Sequence, residues 1–274
     1  MDIRLPKYTV EPIIRANAGE AKDYTYDLYA IDELHKKNLL GQGERVAILD
    51  TGYNEHHPDL IGTVDHVEDM TGLDNPKDSN YHSTWIHGRL AAQHNGIGVK
   101  GICPAAKIGI FKVLRDDGGG GVNDATNGVY RAVELGYGWI IMSLGVSVEV
   151  KAFKYACEYA ASKGVIIFAA SGNDGQSNGI DYPANWESTV SVGSHDSAGR
   201  KSSFSDNGPN LDLYDAGDTV LSTHGPDGYG YLTGTSMAAP TALAKAVCIR
   251  AEWERINNKS LSVHNMHELI KYIK

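Results

Sequence analysis

WIIMSLGVSVEVKAFKYACEYAASKGVIIFAASG, residues 139–172, holds two short apolar runs, WIIMSLG and GVIIFAASG, on either side of a stretch of helix length, 149–163. Continuous branched apolar runs are the mark of strands buried on both faces, whereas a strand with one wet face alternates apolar with polar. The same kind of run recurs outward in both directions: RVAILD at 45–50, KIGIFKVL at 107–114 and TVSVGS at 189–194. Periodic segments at about 82–94, 122–136 and 236–257 supply further helices. Strands alternating with helices predict an α/β fold, a doubly wound, mostly parallel sheet with helices on both faces.

The chain has 274 residues, 42% apolar and 22% charged, enough for one domain with a large core. Its net charge of -9, with Lys and Arg scattered, gives no basic stripe to meet phosphates or anionic lipid, so no nucleic acid and no membrane is expected as partner. The three cysteines, Cys103, Cys157 and Cys248, are odd in number and have no metal-ligand spacing, and read as core residues. The first twenty residues contain no apolar leader and no run of eighteen apolar residues occurs, so a cytoplasmic location is expected. DDGGGGVND, 116–124, reads as a loop, because four successive glycines favour neither helix nor strand.

Polar residues collect where the apolar runs end. Asp50 closes RVAILD, Ser143 and Gly145 close WIIMSLG, and Asn173 follows GVIIFAASG, the sheet edge where open α/β folds bind ligands. A serine nucleophile needs a base, a carboxylate to orient that base, and donors for the oxyanion. In YLTGTSMAAP, 231–240, Ser236 opens a helix after Gly234, where unpaired N–H groups face a developing negative charge. Taken singly, Asp50 reads as a strand-ending turn, Ser236 as a helix cap and Asn173 as a turn residue.

VAILDTGYNEHHPDL, HSTWIHGRLAAQHNGIGVKGICPAAKI, MSLG, AASGND and GTSMAAP stand in the order and spacing of the subtilisin-like serine proteases, or subtilases. The resemblance runs almost without gaps from about residue 40 to 250 and implies the three-layer subtilisin fold. It makes Asp50 the orienting carboxylate, His82 the general base, Ser236 the nucleophile and Asn173 the oxyanion donor. His82 is chosen over His87 because Gly88 and Ala91-Ala92 then fall in the family's register; His56, His57 and His94 read as surface residues. Departures from the family are Ser83 for a glycine, Trp85 for a histidine, His87 for an alanine, Val146 for a glycine and Thr241 for a histidine.

The resemblance also implies a polypeptide substrate, laid as a strand between Gly118 and Gly120 on one side and Ser143, Leu144 and Gly145 on the other. Asp181, before Tyr182-Pro183, takes the place of a small residue on the S1 floor, and with Asp174 at the mouth predicts a preference for Arg or Lys at P1. The Tyr182-Pro183 bond is cis in relatives. A structural calcium ion is implied at Asp59, Asn95 and the main-chain oxygens of Gln93, Ile97 and Val99. IRLPKY, 3–8, is similar to the inhibitory extension of the intracellular subtilisins, which divides the chain into an extension, 1–22, and a catalytic domain, 23–274, with maturation in trans after Arg15 or Lys22. Some such relatives dimerise, so a homodimer is an allowed partner. The alternative reading is a pseudoprotease that binds peptides without cutting; the order Asp, His, Ser and the lack of Gly-x-Ser-x-Gly argue against a lipase.

Overall fold

Successive residues of the apolar runs go to opposite sides of one sheet. Val46 and Ile48, Trp139 and Ile141, and Ile166 and Phe168 join one buried cluster, whereas Ala47 and Leu49, Ile140 and Met142, and Ile167 join another. This period of two, with both faces apolar, is why the runs carry no polar alternation. The computed structural model describes residues 1–11, 19–177 and 179–273; Arg15 lies outside them.

In chain order the strands are β1 (Asp2–Arg4), β2 (Thr9–Val10), β3 (Arg45–Asp50), β4 (Val64–Asp69), β5 (Lys107–Lys112) and β6 (Gly119–Gly121). They continue with β7 (Trp139–Met142), β8 (Ile166–Ala170), β9 (Val190–His195), β10 (Leu213–Ala216), β11 (Val220–His224) and β12 (Gly228–Thr233). The α-helices are α1 (Tyr24–Leu28), α2 (Ile31–Lys36), α3 (His82–Ala91), α4 (Val122–Glu134), α5 (Lys151–Ser162), α6 (Thr235–Asn257) and α7 (Met266–Ile273).

Seven strands form the main sheet in the order β10-β9-β8-β7-β3-β5-β4, every pair parallel. The first face packs on α3 and α6 through Trp85, Ile86, Leu90, Met237 and Leu243, and the second on α4 and α5 through Val129, Ala132, Phe153 and Ala160. Chain order reverses between β3 and β7, so the crevice beyond their carboxyl ends lies at the switch point. The three cysteines are buried and free, and Tyr182-Pro183 is cis.

Two expectations change. Gly119–Gly121 is a strand rather than loop, because β1 pairs with it antiparallel, Ile3 opposite Gly120, and supplies the ladder the glycines lack by themselves. Gly120 is needed there, since a Cβ would sit 2.3 Å from the Val113 carbonyl oxygen. His57 is not a surface residue: it is fully buried, with Nε2 2.8 Å from the Gly228 carbonyl oxygen. The antiparallel trio β11-β12-β2 gave no apolar run to find.

Candidate active site

Asp50 ends β3 with its side chain at the crevice, and Oδ1 lies 2.9 Å from His82 Nδ1. The same oxygen accepts the Thr51 N–H at 2.8 Å. His82 opens α3, whose N-cap residue, Tyr81, offers no side-chain cap. Asp78 caps the helix instead. Its carboxylate accepts the Tyr81 N–H (2.8 Å), the Thr84 N–H (2.8 Å) and hydroxyl (2.6 Å), and the Thr51 hydroxyl (2.9 Å), tying the helix of His82 to the residue after Asp50. Sequence reasoning passed over Asp78; an aspartate just before an uncapped helix start is the signal that would have found it.

Ser236 lies in the first turn of α6. Pro240 has no N–H, which leaves the Ser236 carbonyl without its helical donor, and the Ser143 hydroxyl donates to it at 3.0 Å. The Ser236 hydroxyl turns to the Ser143 carbonyl, 3.3 Å away. His82 Nε2 has no hydrogen-bond partner among the described residues. Asp50, His82 and Ser236 are all fully buried, and the Tyr8 ring lies 4.9 Å from the His82 ring, its hydroxyl donating to Asn80 at 3.1 Å. His87, by contrast, is bonded to the Thr63 hydroxyl at 2.7 Å while His82 holds the contact to Asp50, and burial pushes the His87 pKa down to about 3.

Asn173 is oriented by Thr235, whose N–H (2.9 Å) and hydroxyl (2.7 Å) both donate to Oδ1. Its Nδ2 is thereby aimed into the crevice, where it donates to the Lys7 carbonyl at 2.7 Å. Strand β1 and the residue after it run through the same crevice. Arg4 exchanges two backbone hydrogen bonds with Gly145 (3.1 and 2.9 Å), and the Leu5 N–H donates to the Gly118 carbonyl at 2.9 Å. Ile3 is fully buried in the cluster that contains Leu114, Val122 and Leu144.

Asp181 sits beneath this strand. A side chain at Gly145 would meet Asp181 Oδ2 at 3.2 Å, and one at Gly172 would meet it at 3.3 Å, so the carboxyl lies between the two crevice walls. Burial, then the negative charges of Asp206 and Asp174, push its pKa up to about 6. Asp174 lies nearer solvent, 3.8 Å from Lys7 Nζ, and the Lys7 side chain is 90% exposed, outside the pocket.

The sequence profile of the subtilase family matches residues 41–272. The chain is a subtilase. It is 35% identical to subtilisin BL of Lederbergia lenta over 230 residues, 84% of each chain. It is also 35% identical to the major intracellular serine protease of Bacillus subtilis, over 84% of this chain and 75% of that one. Subtilisin E of Bacillus subtilis is 34% identical over 88% of this chain, which spans 64% of that protein's length. No helix among the described residues is long and apolar enough to cross a membrane.

The residues expected to hold calcium come together in this subtilase. The buried Asp59 carboxylate accepts the Val99 N–H and the Asn95 side-chain amide, each at 3.0 Å. Tyr229 bonds the same group. Asn95 Oδ1 accepts the Ile97 N–H at 3.1 Å, and the Gln93 N–H donates to the Asp59 carbonyl at 2.9 Å. All donors to the carboxylate are neutral, and no basic side chain forms an ion pair with it among the described residues. A buried carboxylate with no basic partner among the described residues has the charge to suit a hard divalent cation.

Proposed function

We propose that this serine endopeptidase cuts polypeptides through Asp50, His82 and Ser236, prefers Arg or Lys at P1, and is held inactive by its own residues 1–22. The observation that carries the reading is the Asn173 amide holding the Lys7 carbonyl above the buried Asp50–His82 pair. In the reaction, Ser236 Oγ attacks the substrate carbonyl while its proton passes to His82 Nε2, the nitrogen that has no hydrogen-bond partner among the described residues. Asp50 holds the opposite nitrogen and stabilises the imidazolium, and the Asn173 amide takes the oxyanion. His82 then returns the proton to the leaving amine, and water repeats the sequence on the acyl-enzyme.

Four features make the bound extension a poor substrate. Its captured carbonyl belongs to Lys7, whose side chain points to solvent instead of Asp181. Tyr8 covers the ring that must accept the proton, and Ser236 is turned toward Ser143. Pro6, with no N–H and a fixed φ, breaks the backbone pairing between Leu5 and Lys7. Release then requires a cut in trans after Arg15 or Lys22; Lys22 is partly exposed and paired with Asp32 at 2.5 Å. Likeness to the major intracellular serine protease supports an intracellular site of action. Asp59, Asn95 and the main-chain oxygens of Gln93, Ile97 and Val99 would hold a calcium ion that rigidifies their loop.

A timed digestion of a peptide library, with wild type beside Ser236→Ala and the enzyme's own mass followed, tests this. Cuts after Arg and Lys, absent in the variant and preceded by loss of the extension, are expected. Peptide binding without cutting, even after the extension is removed, would leave the pseudoprotease reading, which the turned-away Ser236 hydroxyl alone favours.

A further inference from the structure

Asp206, in the loop between β9 and β10, is 1% exposed and belongs to no part of the triad. Its backbone and side chain both grip the segment that carries Asn173. The Asp206 N–H donates to the Gly172 carbonyl at 3.0 Å, the Ser171 hydroxyl donates to the Asp206 carbonyl at 3.2 Å, and Oδ1 accepts the Gln176 N–H at 2.6 Å. Its other oxygen approaches Gly172 so closely that a Cβ there would lie 2.2 Å from it. Asp181 Oδ2 is 3.3 Å from the same point. The two carboxyl oxygens are therefore no more than about 5.5 Å apart, one in the pocket and one in its wall, separated by a residue with no side chain.

Resting on the P1 preference proposed above, we propose that Asp206 is a second specificity-determining residue, whose charge reaches the P1 cation through the Gly172 wall. Burial, with the Asp174 charge, raises the Asp206 pKa above the usual carboxylate value, and the Gln176 and Asp174 amides and the Lys201 ammonium offset part of that rise. A carboxylate held by a backbone amide and almost wholly shielded from the surface keeps more of its field than an exposed one. A cation of this chain, Lys7, already stands at the pocket mouth against Asp174. Asp181 meets the P1 head group; Asp206 deepens the potential there and positions the segment of Asn173.

The test uses the protein freed of its extension and three peptides differing only at P1, with Arg, Lys or Leu, at pH 8. Asp206→Asn keeps an acceptor for the Gln176 amide and removes the charge. The ratio of kcat/KM for Arg over Leu is expected to fall about tenfold, the effect of one unit charge roughly 10 Å away at an effective dielectric near 20. A merely structural role would lower Arg and Leu peptides alike and leave the ratio standing. Asp206→Ser, which also retains an acceptor, serves if the first variant fails to fold. Asp181→Asn should cost more, and the double variant less than the product of the two. If wild type favours Arg over Leu and both Asp206 variants keep that ratio within twofold, the inference is wrong while the P1 reading stands; if wild type favours Leu, both fall.

Discussion

Replacing Ile3 by alanine should switch on the enzyme without cutting it. Ile3 is fully buried among Leu114, Val122 and Leu144 and opposite Gly120. Alanine deletes three carbons, and at about 0.8 kcal/mol per buried carbon the docked strand loses about 2.4 kcal/mol. At about 1.4 kcal/mol per decade, the open fraction rises roughly 50-fold, and more if the vacated pocket stays empty. The backbone bonds of Arg4 to Gly145 and of Leu5 to Gly118 remain available, so the extension still docks, only less often. Initial rates on an Arg-P1 peptide, taken while mass spectrometry shows an intact N-terminus, measure this directly. An uncut Ile3→Ala protein no faster than uncut wild type, with both well below the truncated enzyme, would refute the reasoning: the strand would not be what closes the crevice.

The Arg-over-Leu preference should weaken as pH falls through about 6, because the Asp181 carboxyl, with its raised pKa, is negative above that pH and neutral below it; a pH series in which Asp181→Asn shows the same slope would contradict this. Asp215→Ala should destabilise the protein by about 3–5 kcal/mol in denaturant melts. It strands Lys245, which is buried with Nζ 2.8 Å from Asp215 and 3.1 Å from the Tyr29 ring centroid; replacing both with apolar residues should cost much less. Chelation should lower Tm by about 5–10 °C if calcium contributes about 2.7 kcal/mol, as at a hundredfold excess over Kd; an equal drop in Asp59→Asn would place the ion elsewhere.

The central strands were legible because burial on both faces writes a continuous apolar run, and β3, β5, β7, β8 and β9 each carry one. The edge strand β4, VDHVED, is only partly buried and has no such run, so nothing announced it. The glycines 118–121 misled for a related reason: their strand exists only because a segment more than a hundred residues earlier pairs with it. Histidines were legible by register, not by burial, which is why His82 was singled out and buried His57 was placed on the surface.

Local sequence determined the elements, the family and the chemical types at the crevice, since strand period, helix period and ordered motifs are properties of neighbouring residues. Only the tertiary structure decided which groups face one another: Asp78 as the cap of the helix that carries His82, Asp206 behind Gly172, Lys7 outside the pocket with its carbonyl on Asn173. The last two are contacts between segments far apart in the chain, fixed by the packing of loops at the switch point, and no local pattern encodes such a distance.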